Sequence, residues 1–206
     1  MSNYIQRYFL KLLICCFLLL PLKSYSKSIL EITENDFFIG NIDAPITIIE
    51  YASLSCSHCA DFHIKTLPKI IEEYVDTGIV KMVFRDFPLN YPALLGSMLL
   101  RCVSEDIRFQ YQDAFYQLQS KWVIRDSAKS TLELYKIMQS GGMKKDDFDK
   151  CIENTDLEKE ILEGLMLAQS EFNIKSTPSF IINGQVLGGN KPIKDFRQII
   201  QKILSQ

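Results

Sequence analysis

The spacing of apolar residues changes character along this chain, and each change predicts a different element. Ile46-Thr47-Ile48-Ile49-Glu50-Tyr51 is mostly apolar and rich in β-branched residues, the pattern of a buried strand. The turn-rich stretch Gly40-Asn41-Ile42-Asp43-Ala44-Pro45 leads into it. From about Cys56 to Val75 the period becomes helical. His63, Leu67, Ile70, Ile71 and Tyr74 share one face, Ser55 is the expected N-cap, and Pro68 is expected to kink the helix without ending it. Val80 to Phe87 alternates as a second strand, stopped by Pro88.

From about Tyr91 to Asn173 every segment reads as helix, and no strand candidate interrupts them. One helix begins with Leu94, Met98, Arg101 and Cys102, and a second runs from Phe109 to Trp122. A third spans Leu132 to Met138, and Gly141-Gly142 breaks the chain after it. Phe148 to Ile152 and Leu157 to Phe172 follow. The aromatic residues Phe109, Tyr111, Phe115, Tyr116 and Trp122 fit helix packing better than a binding cluster. A strand returns at Ser179-Phe180-Ile181-Ile182. Asn183-Gly184 is a hairpin signal, because both residues tolerate the positive φ of a type I′ turn, and Gln185-Val186-Leu187 returns from it. Ile193, Phe196, Ile200 and Ile203 make a terminal amphipathic helix. The order is strand, helix, strand, helical block, hairpin, helix. A two-part α/β domain interrupted by an all-helical insertion fits it.

The first residues are set apart. Arg7 and Lys11 lead into the uncharged run Leu12 to Leu20, with Pro21 after it and the small residues Ser24 and Ser26 spaced like a cleavage site. The run is short for a membrane span, and the pattern is that of a cleavable signal peptide over residues 1–26, with a retained anchor as the alternative. Cleavage would remove three basic residues and no acidic one, taking the formal net charge from −2 to −5. A chain of that charge is not expected to bind nucleic acid. Cys15 and Cys16 would leave with the signal. Cys56, Cys59, Cys102 and Cys151 would remain, an even number in a compartment that permits disulfides.

Cys56-Ser57-His58-Cys59 falls between a strand and the first turn of a helix. A helix N-terminus presents unpaired N–H groups and a partial positive charge, and both favour thiolate over thiol. The thiolate is the attacking species in disulfide exchange, so Cys56 is the expected nucleophile, and Cys59, one turn deeper, the expected resolving cysteine. His58 can stabilise the Cys56 thiolate; its bland alternative is a solvated ring without a partner. Cys56, Cys59 and His63 also have workable zinc spacing. A fourth ligand is missing, and His63 lies on an apolar face, so no metal is expected. Cys102 and Cys151 lie in the helical block, where a structural disulfide fits an exported protein better than two buried thiols. It would close a loop of about 50 residues, worth up to ~4 kcal/mol in the chain-entropy account.

Gly40-x-x-Asp43-Ala44-Pro45 with the strand after it, Cys56-x-His58-Cys59, and Ser176-Thr177-Pro178-Ser179-Phe180 together resemble the DsbA-like branch of the thioredoxin superfamily. The resemblance covers essentially the whole chain after residue 26. It implies a thioredoxin-like fold, a central mixed sheet flanked by helices, built from residues 27–90 and 174–206, with an inserted all-helical domain over 91–173. It implies that Pro178 is a cis-proline facing the cysteine pair, and that Thr177 offers backbone hydrogen bonds to a substrate strand. It also implies that Glu50 is an acidic residue buried beneath the pair, able to relay protons to and from Cys59; a strand-end charge reaching solvent is the alternative.

The expected activity is that of a periplasmic protein dithiol–disulfide oxidoreductase, a monomer without a cofactor. It would act on reduced exported proteins and be reoxidised by a quinone-linked membrane partner. Ser57 stands where the commonest loop of the family has proline, which leaves a reductase or isomerase as a rival. A non-catalytic exported binding protein of thioredoxin fold is the other rival.

Overall fold

A computed structural model describes residues 32–33 and 36–206; the expected signal peptide over residues 1–26 lies outside them. Among the described residues, five strands form one mixed sheet. They are β1 (Phe37–Ile39), β2 (Ile46–Ala52), β3 (Val80–Asp86), β4 (Ser179–Ile182) and β5 (Gln185–Gly188), in spatial order β1-β3-β2-β4-β5. β2 and β3 run parallel, and every other neighbouring pair is antiparallel. β1 has no counterpart in the sequence reading. It is three half-buried residues long, too short to show alternation, and exists because β3 offers it an edge.

The parallel β2–β3 connection carries a broken helix. α1 (Ser57–Lys65) stops at Thr66, α2 (Leu67–Ile70) restarts with Pro68 in its first turn, and Ile71–Val75 forms a wider π-helical turn. Proline has no N–H to donate, so the break falls just before it. The interruption is local: the Thr66 amide donates to the Phe62 carbonyl (2.9 Å), and the Ile70 amide to the Thr66 carbonyl (3.2 Å).

The helical block comprises α3 (Tyr91–Arg101), α4 (Glu105–Gln117), α5 (Gln119–Trp122), α6 (Ser127–Ser140), α7 (Lys145–Ile152) and α8 (Thr155–Ser170). Three of these helices start on side chains that satisfy orphan amides: Asn90 accepts from Ala93, Asp126 from Lys129, and Asn154 from Leu157. α9 (Ile193–Leu204) closes the chain.

Period-two alternation sends β2 to two cores. Ile46 and Ile48 join Met82, Phe180, Phe62, Leu67, Ile70, Phe196 and Ile200 on one face. Ile49 and Tyr51 join Val83, Ile181, Ala168, Ile174 and the partly buried Leu165 and Phe172 on the other. A third core fills the helical block around Leu95, Met98, Leu99, Phe115, Tyr116, Trp122, Met138 and Phe148, and it includes Leu54, Cys59 and Ala60. The aromatic residues Phe115, Tyr116 and Trp122 are thus packing residues. The second half of α8 is the sheet's cover on one face, so a domain boundary at 173 separates residues that pack together. Arg101 reinforces that joint, donating to Asp86 at the end of β3 (2.9 Å) and to Glu160 on α8 (2.7 Å).

Candidate active site

The cysteine pair packs against the core of the helical block. β2 ends at Ala52, and the chain turns through Ser53-Leu54-Ser55 into α1. Ser55 is not the N-cap; Cys56 is, with φ −82° and ψ 120°. The reason is local. Ser53 is fully buried, its hydroxyl lies 3.1 Å from that of Ser55, and it accepts from the amides of Ser55 and Leu89 (3.3 Å each). Ser55 is thereby held in the turn, and Cys56 stands at the N-cap position. As a thiol, Cys56 makes no capping bond and instead donates to the carbonyl of Thr177 at 3.4 Å.

The electrostatics of the two sulfurs diverge. Cys56 is partly exposed, and its pKa is pulled down to about 5. The thiol of Cys59 donating to the thiolate is the largest cause. Partial burial opposes it, and the Thr177 hydroxyl and the amides of Cys59 and His58 add to it. Those amides belong to the first turn, where a helix offers unpaired N–H groups. Cys59 is fully buried, and its thiol is pushed far up by burial, by donating to Cys56 and by the nearby Glu50 charge. Both cysteines are free thiols in this structure.

Glu50 has no exposure, and among the described residues neither carboxylate oxygen has a hydrogen-bond partner. Its register partners on the neighbouring strands are Phe84 and Phe180, two apolar side chains. Burial first, and the Cys56 charge second, push its pKa up to about 8. The alternative of a strand-end charge reaching solvent is thereby excluded, and a pKa raised to about 8 favours the neutral acid at pH 7.

The remaining expected residues divide. The Thr177–Pro178 peptide is cis, and Thr177 is buried beside Cys56 with a hydroxyl that makes no hydrogen bond among the described residues. His58 is exposed, and it acts on Cys56 through its backbone amide. His63 is buried, with its ring against Tyr116 at 4.4 Å and its Nε2 3.1 Å from the Gln112 amide nitrogen. Burial holds its pKa down at about 3, so the ring is neutral and Nε2 accepts from Gln112. Cys102, at the exposed end of α3, is bonded to Cys151 on α7, with Cα atoms 6.1 Å apart.

Sequence reasoning missed Ser53 and Gln119. Gln119 reads only as a helix residue, yet its side-chain amide donates to the carbonyls of Leu54 (2.8 Å) and Cys56 (3.0 Å). Nothing at the level of spacing marks it, because its partners are more than sixty residues away.

The protein-family model described as thioredoxin matches residues 32–202. A putative protein-disulfide oxidoreductase of Rickettsia bellii is 29% identical, over 85% of this chain and 67% of that protein. Its counterpart in Rickettsia felis is 27% identical, over 85% and 63%. The chain thus spans about two thirds of the length of these relatives. Among solved structures, Wolbachia pipientis alpha-DsbA1 superposes with a TM-score of 0.79 at 34% identity, over 84% of this chain and 92% of that one. BdbD from Bacillus subtilis superposes with a TM-score of 0.74 at 20% identity, over 84% and 94%, a likeness of fold.

Proposed function

This chain belongs to the thioredoxin family, in its DsbA-like branch, and on that premise we propose that it is an exported oxidase that introduces disulfide bonds into other proteins through Cys56 and Cys59. One observation carries the reading. A half-exposed sulfur with its pKa near 5 sits at a helix N-terminus, faces the Thr177–Pro178 turn, and has a buried, protonated partner thiol one turn deeper. A thiolate so stabilised favours the dithiol form, which makes the corresponding disulfide a strong oxidant.

In the oxidised enzyme a substrate thiolate attacks Cys56 Sγ. The Cys56–Cys59 bond breaks, a substrate–Cys56 disulfide forms, and Cys59 leaves. Attack at Cys56 follows from access, since Cys59 is buried. Cys59 is too basic to remain ionised and takes a proton, for which the neutral acid Glu50 is the donor. The substrate's second thiolate then attacks the substrate sulfur of the mixed disulfide, and Cys56 departs as a stable thiolate. A low leaving-group pKa speeds this step. The substrate has lost two electrons, and the pair has gained them. Thr177 and Pro178 border the half-exposed sulfur and are assigned to binding the substrate backbone. His58, exposed beside Cys56, is assigned to tuning the thiolate.

Residues 1–26 direct the chain to the periplasm in this reading, and a quinone-linked membrane partner reoxidises the pair. Equilibration of the pair with glutathione tests the direction of electron flow. A strongly oxidising equilibrium is expected, and a strongly reducing one assigns the same site to a reductase. Cys56→Ala is expected to abolish oxidation of a reduced substrate protein; oxidation at the wild-type rate would remove Cys56 from the mechanism.

A further inference from the structure

The cysteine pair lies at the start of α1, just past the end of β2, but the chain leading into it is gripped from the helical block. Leu54 packs in that block's core, and Gly96 on α3 approaches it so closely that a Cβ there would lie 2.9 Å from Leu54 Cδ1. Gln119 stands on the short α5, which is itself rigidly mounted. Trp122, with no exposure, donates from Nε1 to the Phe115 carbonyl at 2.8 Å, and its own carbonyl accepts from the Ser130 hydroxyl. From this mount both protons of one amide group reach the redox turn, one to Leu54 O and one to Cys56 O.

Those two carbonyls control where the sulfur sits. A peptide group is planar, so fixing its oxygen fixes its N–H. The Leu54–Ser55 peptide is held at both ends, by Gln119 on the oxygen and by the Ser53 hydroxyl on the N–H. The Cys56 carbonyl also accepts from the Ala60 amide, the first hydrogen bond of α1, so Gln119 secures the ψ of 120° at which Cys56 caps the helix. At that ψ the amides of His58 and Cys59 act on Sγ.

We propose that Gln119 is a positioning residue for Cys56, the point at which the helical insertion holds the redox turn in the orientation that stabilises its thiolate. The proposal rests on the oxidoreductase reading above and assigns the insertion a part in setting the oxidising strength of the pair. Gln119 touches no reacting atom; it acts through two backbone carbonyls.

Two nearly isosteric variants separate positioning from packing. Gln119→Met keeps the bulk and removes the donor. Gln119→Glu keeps the shape and places a carboxylate against two carbonyl oxygens. Thiolate absorbance of the reduced protein against pH, and the equilibrium of the pair with glutathione, are measured beside thermal unfolding. Loosening both carbonyls with Gln119→Met is expected to raise the thiolate midpoint by about one unit and to shift the glutathione equilibrium about tenfold toward the disulfide. Gln119→Glu is expected to shift both further. A lowered melting temperature with both redox readouts unmoved, in either variant that folds, overturns the proposal and leaves Gln119 a packing residue. A wild-type midpoint near the ordinary ~8.5 would instead sink the parent reading.

Discussion

Glu50 spends stability to keep a proton. A carboxyl whose folded pKa is about 8 must hold its proton at neutral pH, whereas in the unfolded chain it is ionised. The folded state therefore loses stability as pH rises from the ordinary carboxylate range through 8, on the order of 3 kcal/mol by pH 7. Glu50→Gln removes the ionisation but keeps the shape. The variant is expected to unfold at higher denaturant at pH 7, with its advantage over the native chain growing between pH 5 and 8. It is also expected to slow the step in which Cys59 gains or loses its proton, by about 10²-fold if general acid–base catalysis operates there. Denaturation at several pH values, with stopped-flow thiol exchange, checks both. A variant less stable than the native chain at pH 7 would refute the buried-acid account. Cys56 has the opposite sign. Its folded pKa is depressed, so the reduced protein holds the corresponding stabilisation above the ordinary thiol range and loses it as pH falls through about 5. The two groups oppose each other across the neutral range, which places the reduced form's pH dependence within the site itself.

At the scale of elements, local chemistry explains most of the secondary structure, and the exceptions are instructive. The β4–β5 hairpin follows from Asn183-Gly184. Both residues have positive φ, 44° and 87°, and Asn183 Oδ1 also accepts from the Thr47 amide at 3.2 Å. A Cβ on Gly184 would meet no atom within 4 Å, so any cost of filling it is conformational. Gly184→Ala is expected to destabilise the protein by about 1 kcal/mol through strain alone; a thermal shift indistinguishable from the native protein would contradict it. The α1–α2 break follows from Pro68, and the missing capping hydroxyl at α1 from Ser53 holding Ser55. In that last case function and local preference part ways. A serine cap would satisfy the helix, but a sulfur at the same position leaves the first-turn amides free to act on a thiolate.

At the scale of the whole molecule, the sheet and the helical block meet along α8, Arg101 and the redox turn. The Cys102–Cys151 disulfide lies wholly inside the block, joining α3 to α7 across 49 residues. Replacing both cysteines by alanine is expected to cost about 2–4 kcal/mol of stability while thiol exchange at Cys56 proceeds at the native rate. Urea unfolding and an insulin-reduction or peptide-oxidation assay read the two effects separately. A loss of exchange rate without loss of stability would mean that the second pair takes part in the chemistry.

Near neighbours along the chain carry much of this protein's description. Hydrophobic period distinguishes β2 and β3 from the helices, Asn183-Gly184 dictates a turn, and Cys56-x-x-Cys59 stands where a strand gives way to a helix. Sterics and periodicity act over a few residues, so they are written in the sequence and can be read there. What depends on distant segments is decided by packing. The Thr177 carbonyl meets Cys56 across 121 residues. The Glu50 carboxyl is pushed toward its neutral form only because folding buries it between two aromatic strand neighbours. β1 exists only against β3, and α8 serves two cores at once. Gln119 reaches the redox turn from the insertion. A burial cost, a shared core or a bridging amide has no local signature, because each is a property of the groups that folding brings together.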